Sequence, residues 1–448
     1  MDNIIVMKFG GSSVANASAM LNVFNIITSQ KCNKLVVLSA CKGVTDLLIE
    51  AANFSLQNIT KSIEIINEIS EHHKKIIENT INSELKWKAL EKIDVYIRQI
   101  REFSEGIHLL QELTAKMMDF FVSFGEKLST TVFYYILLEN KINAVLINSE
   151  NYIITNSKFG EAEPNYSIIK LKVQNELKPE FDKYDTIIAQ GFIGSDLEGR
   201  TTTLGRGGSD FSASIYGLAL GASEIQIWTD VSGVKSADPR IVEQAITIDE
   251  MTIDDIRELS FYGAKVLHPD TIKPAIEAGI PIKVLNTFSP SEQGTIIKEN
   301  NQGSEPKLHS ISVLSEVTKL HFYLDAKRNS SLQIVDILNY LIRRNIKILS
   351  SSQSETSFVL FAKLDNQQIN NITATYTDYQ VEAVEGDLIC LVGNNILLDK
   401  ELLSKLTKQI ENYQIDYIQF GINKQLSLLF SKDNTREIIE RIHSVIGS

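Results

Sequence analysis

Several short segments of this chain place cations, carboxylates and glycines together in the way that phosphate and amino-acid chemistry requires. Met7-Lys-Phe-Gly-Gly-Ser-Ser13 joins Lys8 to the adjacent glycines Gly10 and Gly11. Two glycines let the backbone approach a polyphosphate and let successive N–H groups form an anion nest, while Lys8 brings charge to the same place. The same pair also suits a tight turn before a helix. The segment is not a Walker A loop, which ends in Gly-Lys-Ser/Thr. Leu38-Ser-Ala-Cys-Lys-Gly-Val-Thr-Asp46 sets Ser39, Gly43 and Thr45 behind a second apolar run, with Thr45 readable as a ligand contact or as a helix cap. In Phe121-Val-Ser-Phe-Gly-Glu-Lys-Leu-Ser-Thr130, Glu126 opens a helical stretch, where it can receive a substrate ammonium or simply face the helix dipole.

The densest polar segment runs from Gln190 to Asp210 and includes Phe192, Thr203 and the turn Gly205-Arg-Gly-Gly-Ser-Asp210. A purely structural loop has no need of three consecutive threonines, two arginines and this many glycines. Arg206 can hold a carboxylate through two parallel hydrogen bonds, and Ser209 and Asp210 stand at a helix start. Farther on, Thr229 and Asp230 end a strand, Lys235 and Arg240 add positive charge, and Lys265 opens a helix within Tyr262-Gly-Ala-Lys-Val-Leu-His-Pro269. His268 in that segment reads as a core or capping histidine.

These residues need a frame. Apolar runs at Ile4–Phe9, Leu35–Leu38, Ala144–Ile147, Thr186–Gln190, Glu224–Thr229 and Ile282–Leu285 alternate with helical spacing, as in Ile256–Phe261 and Ile272–Ala278. Strands that are apolar on both faces and separated by helices indicate a mostly parallel sheet between helical layers. In such sheets ligands bind beyond the carboxyl ends of the strands, where the polar segments fall. Residues 59–120 are charged and nearly free of Gly and Pro, and read as a helical insertion. The catalytic part spans 1–297. After the polar stretch Lys298–Lys307, strand and helix patterns recur on a smaller scale, giving two small α+β units at 308–380 and 381–448.

Bulk properties narrow the field. The chain has 448 residues, enough for two or three domains, and its net charge of -12 gives no general attraction for nucleic acid or anionic membrane. No apolar run reaches the roughly 20 residues of a membrane helix. The N-terminus begins with a strand rather than a signal sequence, so the cytoplasm is the default location. Cys32, Cys41 and Cys390 lack metal-ligand spacing and are expected as reduced thiols.

Taken in order, Lys8–Ser13, Ser123–Thr130, Gln190–Asp210, Trp228–Arg240 and Phe261–Pro269 resemble the monofunctional aspartate kinases of bacteria, members of the amino-acid kinase family with C-terminal ACT domains. The resemblance implies phosphoryl transfer from ATP, with Mg²⁺, to L-aspartate. It implies that Lys8 touches the transferring phosphate and Asp210 orients it. Arg206 would grip the α-carboxylate, Glu126 the ammonium, and Thr45, Phe192, Thr203 and Ser209 would line the amino-acid pocket. Gly10, Gly11, Ser39, Thr229, Asp230, Lys235, Arg240 and Lys265 would surround the nucleotide; no protein ligand for a metal is predicted directly. A homodimer through the ACT-like units is implied. No homoserine dehydrogenase module is expected after Ser448. For regulation, Ser330 falls in the turn Arg328-Asn-Ser-Ser331, which stands where lysine-inhibited relatives have a glycine-containing ligand turn, and Ser354 and Glu355 match the family's Ser-Glu pair. The strand Asn345–Leu349, however, puts Leu349 where lysine-inhibited relatives carry an acid. Leucine cannot neutralise an ε-ammonium, so lysine inhibition is expected to be weakened, absent or replaced by another effector. Two competing readings are a related kinase acting on carbamate, acetylglutamate or a nucleotide, and a silent amino-acid sensor.

Overall fold

The computed structural model describes residues 3–263, 267–299, 307–396, 398–420, 425–430 and 434–446. By its contacts the chain forms two compact units, Met1–Val234 with Thr247–Ile256 and Val266–Asn301, and Lys235–Ile246 with Arg257–Lys265 and Gln302–Ser448.

In the first unit the apolar runs become strands Ile4–Phe9 (β1), Asn33–Leu38 (β2), Ala144–Leu146 (β3) and Thr186–Gln190 (β4). A short hairpin follows, Ile193–Ser195 (β5) with Thr201–Thr203 (β6), then Glu224–Thr229 (β7), Glu250–Thr252 (β8), Ile282–Asn286 (β9) and Thr295–Lys298 (β10). The main sheet has the order β3-β4-β2-β1-β7-β9-β10-β8, and only the β9–β10 pairing is antiparallel. β1 is buried along its whole length, as a central strand covered on both faces must be. The expected α/β class is therefore present.

The helices are Ala17–Ser29 (α1), Val44–Gln57 (α2), Ile59–Thr80 (α3), Leu85–Leu110 (α4), Ala115–Val122 (α5), Phe124–Glu139 (α6), Tyr166–Lys172 (α7), Gly208–Leu220 (α8), Ile253–Phe261 (α9) and Pro269–Glu277 (α10). α3 and α4 fill most of the 59–120 stretch and bury Ile65, Ile69, Ile93 and Ile97 against the core beneath α2 and α6. Their apolar residues recur every three or four positions, so one stripe of each helix reaches that core. Serines 55, 62 and 104 meet inside this bundle, with oxygen separations of 2.8 to 3.1 Å, and satisfy one another away from water. No described helix is long and apolar enough to cross a membrane.

The second unit carries Lys307–Tyr323 (β11), Ser330–Arg343 (α11), Ile348–Gln353 (β12), Ser357–Ala362 (β13), Asn366–Thr375 (α12), Gln380–Asn394 (β14), Lys400–Ile410 (α13), Ile415–Phe420 (β15), Gln425–Phe430 (β16) and Thr435–His443 (α14). These strands form one antiparallel sheet ordered β12-β13-β11-β14-β16-β15. Its two apolar cores divide the long strands rather than following chain order. Leu320 and Phe322 of β11 pack with Ile337, Leu341 and Phe358, whereas Leu308 and Ile311 pack with Ile389, Leu391 and Ile438. A register shift between Leu314 and Val317 marks the changeover. The expected strand Asn345–Leu349 is displaced: Asn345 takes φ 54° just past the end of α11, so the extended chain begins only at Ile348. Residues 300–306 of the expected linker lie outside the described residues.

Candidate active site

The carboxyl ends of β1, β2 and β4 open onto a cleft of about 340 Å³. Its lining brings together Lys8, Gly11, Ser39, Thr45, Glu126, Phe192, Ser209 and Asp210, residues drawn from four separate polar segments of the sequence. Gly11 is there for want of space: a Cβ on it would lie 2.9 Å from the Ala40 carbonyl oxygen. The N–H of Gly10 donates to the Trp228 carbonyl at 3.0 Å, so that glycine ties β1 to β7 instead of facing a ligand. Thr45 is not the cap of α2; Gly43 holds that position with φ 82°, which leaves Thr45 in the first turn and on the cleft wall.

Charge is concentrated at one end of the cleft. Lys8 Nζ lies 2.6 Å from Asp210 Oδ1, with both side chains largely shielded. Asp210 stands in the first turn of α8, whose N-terminus adds positive potential. Glu126, in the first turn of α6, is 3% exposed. Its Oε1 accepts the Ala40 N–H at 3.1 Å, while Oε2 is buried without a hydrogen-bond partner. Burial pushes the Glu126 carboxyl up to about 8, against the opposing pull of the Ala40 N–H and of Lys8. A buried carboxyl group held neutral and half-satisfied is poised to gain from an incoming cation. Cys41 also lines the cleft, but burial raises its thiol to about 12 and its Sγ donates to the Val14 carbonyl, so it is no nucleophile.

Phe192 departs from ordinary backbone geometry with φ 68°. A bulky residue in this region costs roughly 1–2 kcal/mol and persists only where its surroundings hold it. Here the Phe192 N–H donates to Ser212 Oγ at 2.9 Å and its carbonyl accepts the Leu204 N–H at 2.9 Å.

Other expected site residues fall elsewhere. Arg206 is exposed and outside the cleft lining, between Gly205 (φ 73°) and Gly207 (φ 71°). Thr203 is buried and donates both its hydroxyl and its N–H to Asp119. Thr229 and Asp230 close on each other at the end of β7, with 3.2 Å between Oγ1 and Oδ1. Lys235 belongs by its contacts to the second unit, where its carbonyl accepts the Ser310 hydroxyl. Arg240 belongs there too and pairs with Asp238 at 2.6 Å in solvent. Lys265 lies outside the described residues. His268 is not a core residue, its side chain being 49% exposed, but it holds the N-cap position of α10, where it makes no side-chain cap bond.

In the second unit, Ser330 begins α11, Ser354 pairs with Ser357 at 2.8 Å, Glu355 is exposed and Leu349 is half-buried on β12. The three cysteines are free thiols, as expected. Asp119, the Ala40 N–H and Lys42, which also lines the cleft, are additions that the sequence alone did not single out. Asp119 lies outside any glycine-rich motif, and a backbone donor has no side-chain signature.

The chain matches the amino acid kinase family over residues 3–286. It is 31% identical over 462 residues to lysine-sensitive aspartokinase 3 of Escherichia coli K12, covering 99% of both chains. It is 32% identical over 402 residues to an aspartokinase of Chlamydia muridarum, covering 87% of this chain and 85% of that one. A crystal structure of E. coli aspartokinase III in complex with aspartate and ADP superimposes with a TM-score of 0.80 at 30% identity, covering all of both chains. The likeness extends through the small α+β units, which are ACT-like. A parallel sheet with its cleft at the strand ends, sequence identity along nearly the full length and the shared topology lead to one conclusion: this chain belongs to the amino acid kinase family and is homologous to the bacterial aspartokinases.

Proposed function

We propose that the protein is an aspartate kinase, converting ATP and L-aspartate to ADP and 4-phospho-L-aspartate, the first step towards lysine, threonine, methionine and diaminopimelate. The observation that carries this reading is the buried, unpartnered Glu126 Oε2 beside the Lys8–Asp210 pair. An amino acid's ammonium completes Glu126, and a phosphoryl group completes Lys8. Both needs arise in one cleft, and a relative solved with aspartate and ADP shares the fold.

The chemistry asks little of acid–base catalysis. Aspartate's side chain, with a pKa near 3.9, is already an ionised nucleophile at neutral pH. Its oxygen attacks the γ-phosphorus, a new P–O bond forms, and the bond to the β-phosphate oxygen breaks with its electron pair leaving on ADP. Catalysis then rests on alignment and on absorbing charge. Lys8 would meet the transferring phosphoryl, with Asp210 holding the ammonium of Lys8 in place. Gly11 lets its loop lie against the Ala40 backbone on the wall that the polyphosphate would meet, and the N-terminus of α8 faces the same charge. Arg206 would receive the α-carboxylate once its turn folds inward. Thr45, Phe192, Thr203 and Ser209 would shape the amino-acid pocket. Ser39, Thr229, Asp230, Lys235, Arg240 and Lys265 would serve the nucleotide.

Among the described residues no group of three or more His, Cys, Asp or Glu side chains could hold a metal. Mg²⁺ would arrive on the nucleotide and neutralise phosphate charge there. We assign catalysis to the first unit and place dimerisation and effector binding in the ACT-like units. Leu349, an uncharged residue on β12, supports lysine inhibition that is weakened, absent or replaced by another effector.

Trapping the product as its hydroxamate tests the reading, with aspartate, glutamate and acetylglutamate as alternative acceptors. Hydroxamate from aspartate alone is the expected result. Turnover of acetylglutamate in its place, or of none of the three, overturns it.

A further inference from the structure

Asp119 lies on α5, seven residues before Glu126, and is 2% exposed. Its Oδ2 accepts two N–H groups, from Thr203 at 3.0 Å and from Gly160 at 2.9 Å, and its Oδ1 accepts the Thr203 hydroxyl at 2.8 Å. Burying a carboxylate is costly unless donors surround it, and here donors from two separate segments converge on it. Those segments are also tied to each other, because the Ala162 N–H donates to the Thr203 carbonyl at 2.8 Å. Burial raises the Asp119 carboxyl above its usual range, and the Gly160 and Thr203 contacts oppose that rise without cancelling it.

Thr203 is the last residue of β6 and stands at a pivot. Immediately after it, the Leu204 N–H is fixed to the Phe192 carbonyl, and from Gly208 onward the chain is helix α8. Between these fixed points lies only Gly205-Arg-Gly207, with positive φ at both glycines and Arg206 in solvent. Asp119 thus connects the helical pair that carries Glu126 to the foot of the turn that carries Arg206.

We infer that Asp119 is a positioning residue that sets the Arg206 turn relative to Glu126, so that guanidinium and carboxylate meet the two ends of one amino acid. This inference rests on the aspartate-kinase reading. The ammonium and α-carboxylate of an amino acid share one carbon, so their receptors have a single correct separation. Errors of about 1 Å in such a separation cost on the order of 100-fold in rate. Asp119 itself touches neither end.

The test uses Asp119→Asn, which is nearly isosteric and can still accept from the two N–H groups, but presents an NH₂ to the Thr203 hydroxyl. The expected result is a rise of about tenfold or more in KM for aspartate, with KM for ATP and the thermal midpoint close to wild type. A second readout needs no turnover: trypsin cuts after Arg206, and mass spectrometry follows that site. Aspartate should protect Arg206 in the wild type, and Asp119→Asn should be cut faster and protected less. An unchanged KM for aspartate with unchanged cleavage overturns the inference. So does a parallel loss of ATP binding, thermal stability or folding itself, which would make Asp119 merely structural. If the wild type does not phosphorylate aspartate, the functional reading fails, while the cleavage rate without ligand still decides whether Asp119 holds the turn.

Discussion

Glu126 makes aspartate affinity depend on pH, with a sign and size that follow from its burial. In the empty cleft its carboxyl group ionises at about 8, because burial disfavours the charge more than the Ala40 N–H and Lys8 favour it. Only the ionised form pairs with an ammonium, so binding below that pH must first release a proton. Affinity therefore rises with pH. With a midpoint of about 8, roughly 1% of the group is ionised at pH 6, about 9% at pH 7 and half at pH 8. The dissociation constant for aspartate should fall about ninefold from pH 6 to 7 and about fivefold from 7 to 8. At pH 7 the penalty is about 1.4 kcal/mol. Calorimetry in two buffers of different ionisation enthalpy counts the protons: about 0.9 released per aspartate at pH 7 and about half of one at pH 8. Glu126→Gln should bind aspartate weakly, release no proton and show no slope. A constant wild-type affinity from pH 6 to 8.5, without proton release, would refute the reasoning.

The same shift has a consequence for stability. A carboxyl group raised in the folded state contributes stability that is complete below the unfolded value of 4.5 and is lost as pH climbs to about 8. The unfolding free energy of the empty wild type should therefore decline across that window relative to Glu126→Gln, as followed by urea titration. Lys8→Ala should lower kcat by at least about 100-fold with smaller changes in either KM, because the loss falls on charge developing in the transition state. Arg206→Ala should raise KM for aspartate by about 10- to 100-fold while sparing ATP, as steady-state assays with each substrate varied would reveal. Gly11→Ala should cost nucleotide affinity, measured by ADP titration, since its Cβ would press on the Ala40 carbonyl. Separate titrations of lysine and threonine into the forward assay should leave activity intact at micromolar lysine; strong inhibition there would contradict the reading of Leu349.

Much of the frame was legible because β1, β2 and β4 carry unbroken apolar stretches, as strands buried on both faces generally do, while β7 interleaves Glu224 and Gln226 with its apolar residues. β8, a short edge strand, and the short β10 beside it lie near polar turns and gave no such signal. The hairpin β5–β6 hid inside the polar segment Gln190–Asp210, because side chains chosen for ligands and contacts do not alternate cleanly. Within the site, glycines and charges betrayed the loops that line the cleft. What they could not reveal was commitment: the Gly10 N–H is taken by Trp228, and Thr203 by Asp119. Both bonds join residues far apart in sequence and depend on how β1 meets β7 and how α5 meets β6. The displaced start of β12 turned on one dihedral at Asn345, which helix periodicity does not encode.

The two long strands of the second unit carry a lesson for anyone dissecting it. The front half of β11 belongs to the core that contains β14, β16 and α14, while its rear half belongs to the core of α11 and β13. One module is thus nested inside the other, and no single cut in the chain separates them cleanly. A fragment ending at Thr375 would keep the back of β11 without its β14 neighbour, and a fragment starting at Gln380 would strip β14 of the strand beside it. Excision of 317–386 with its ends joined respects the architecture; truncation does not.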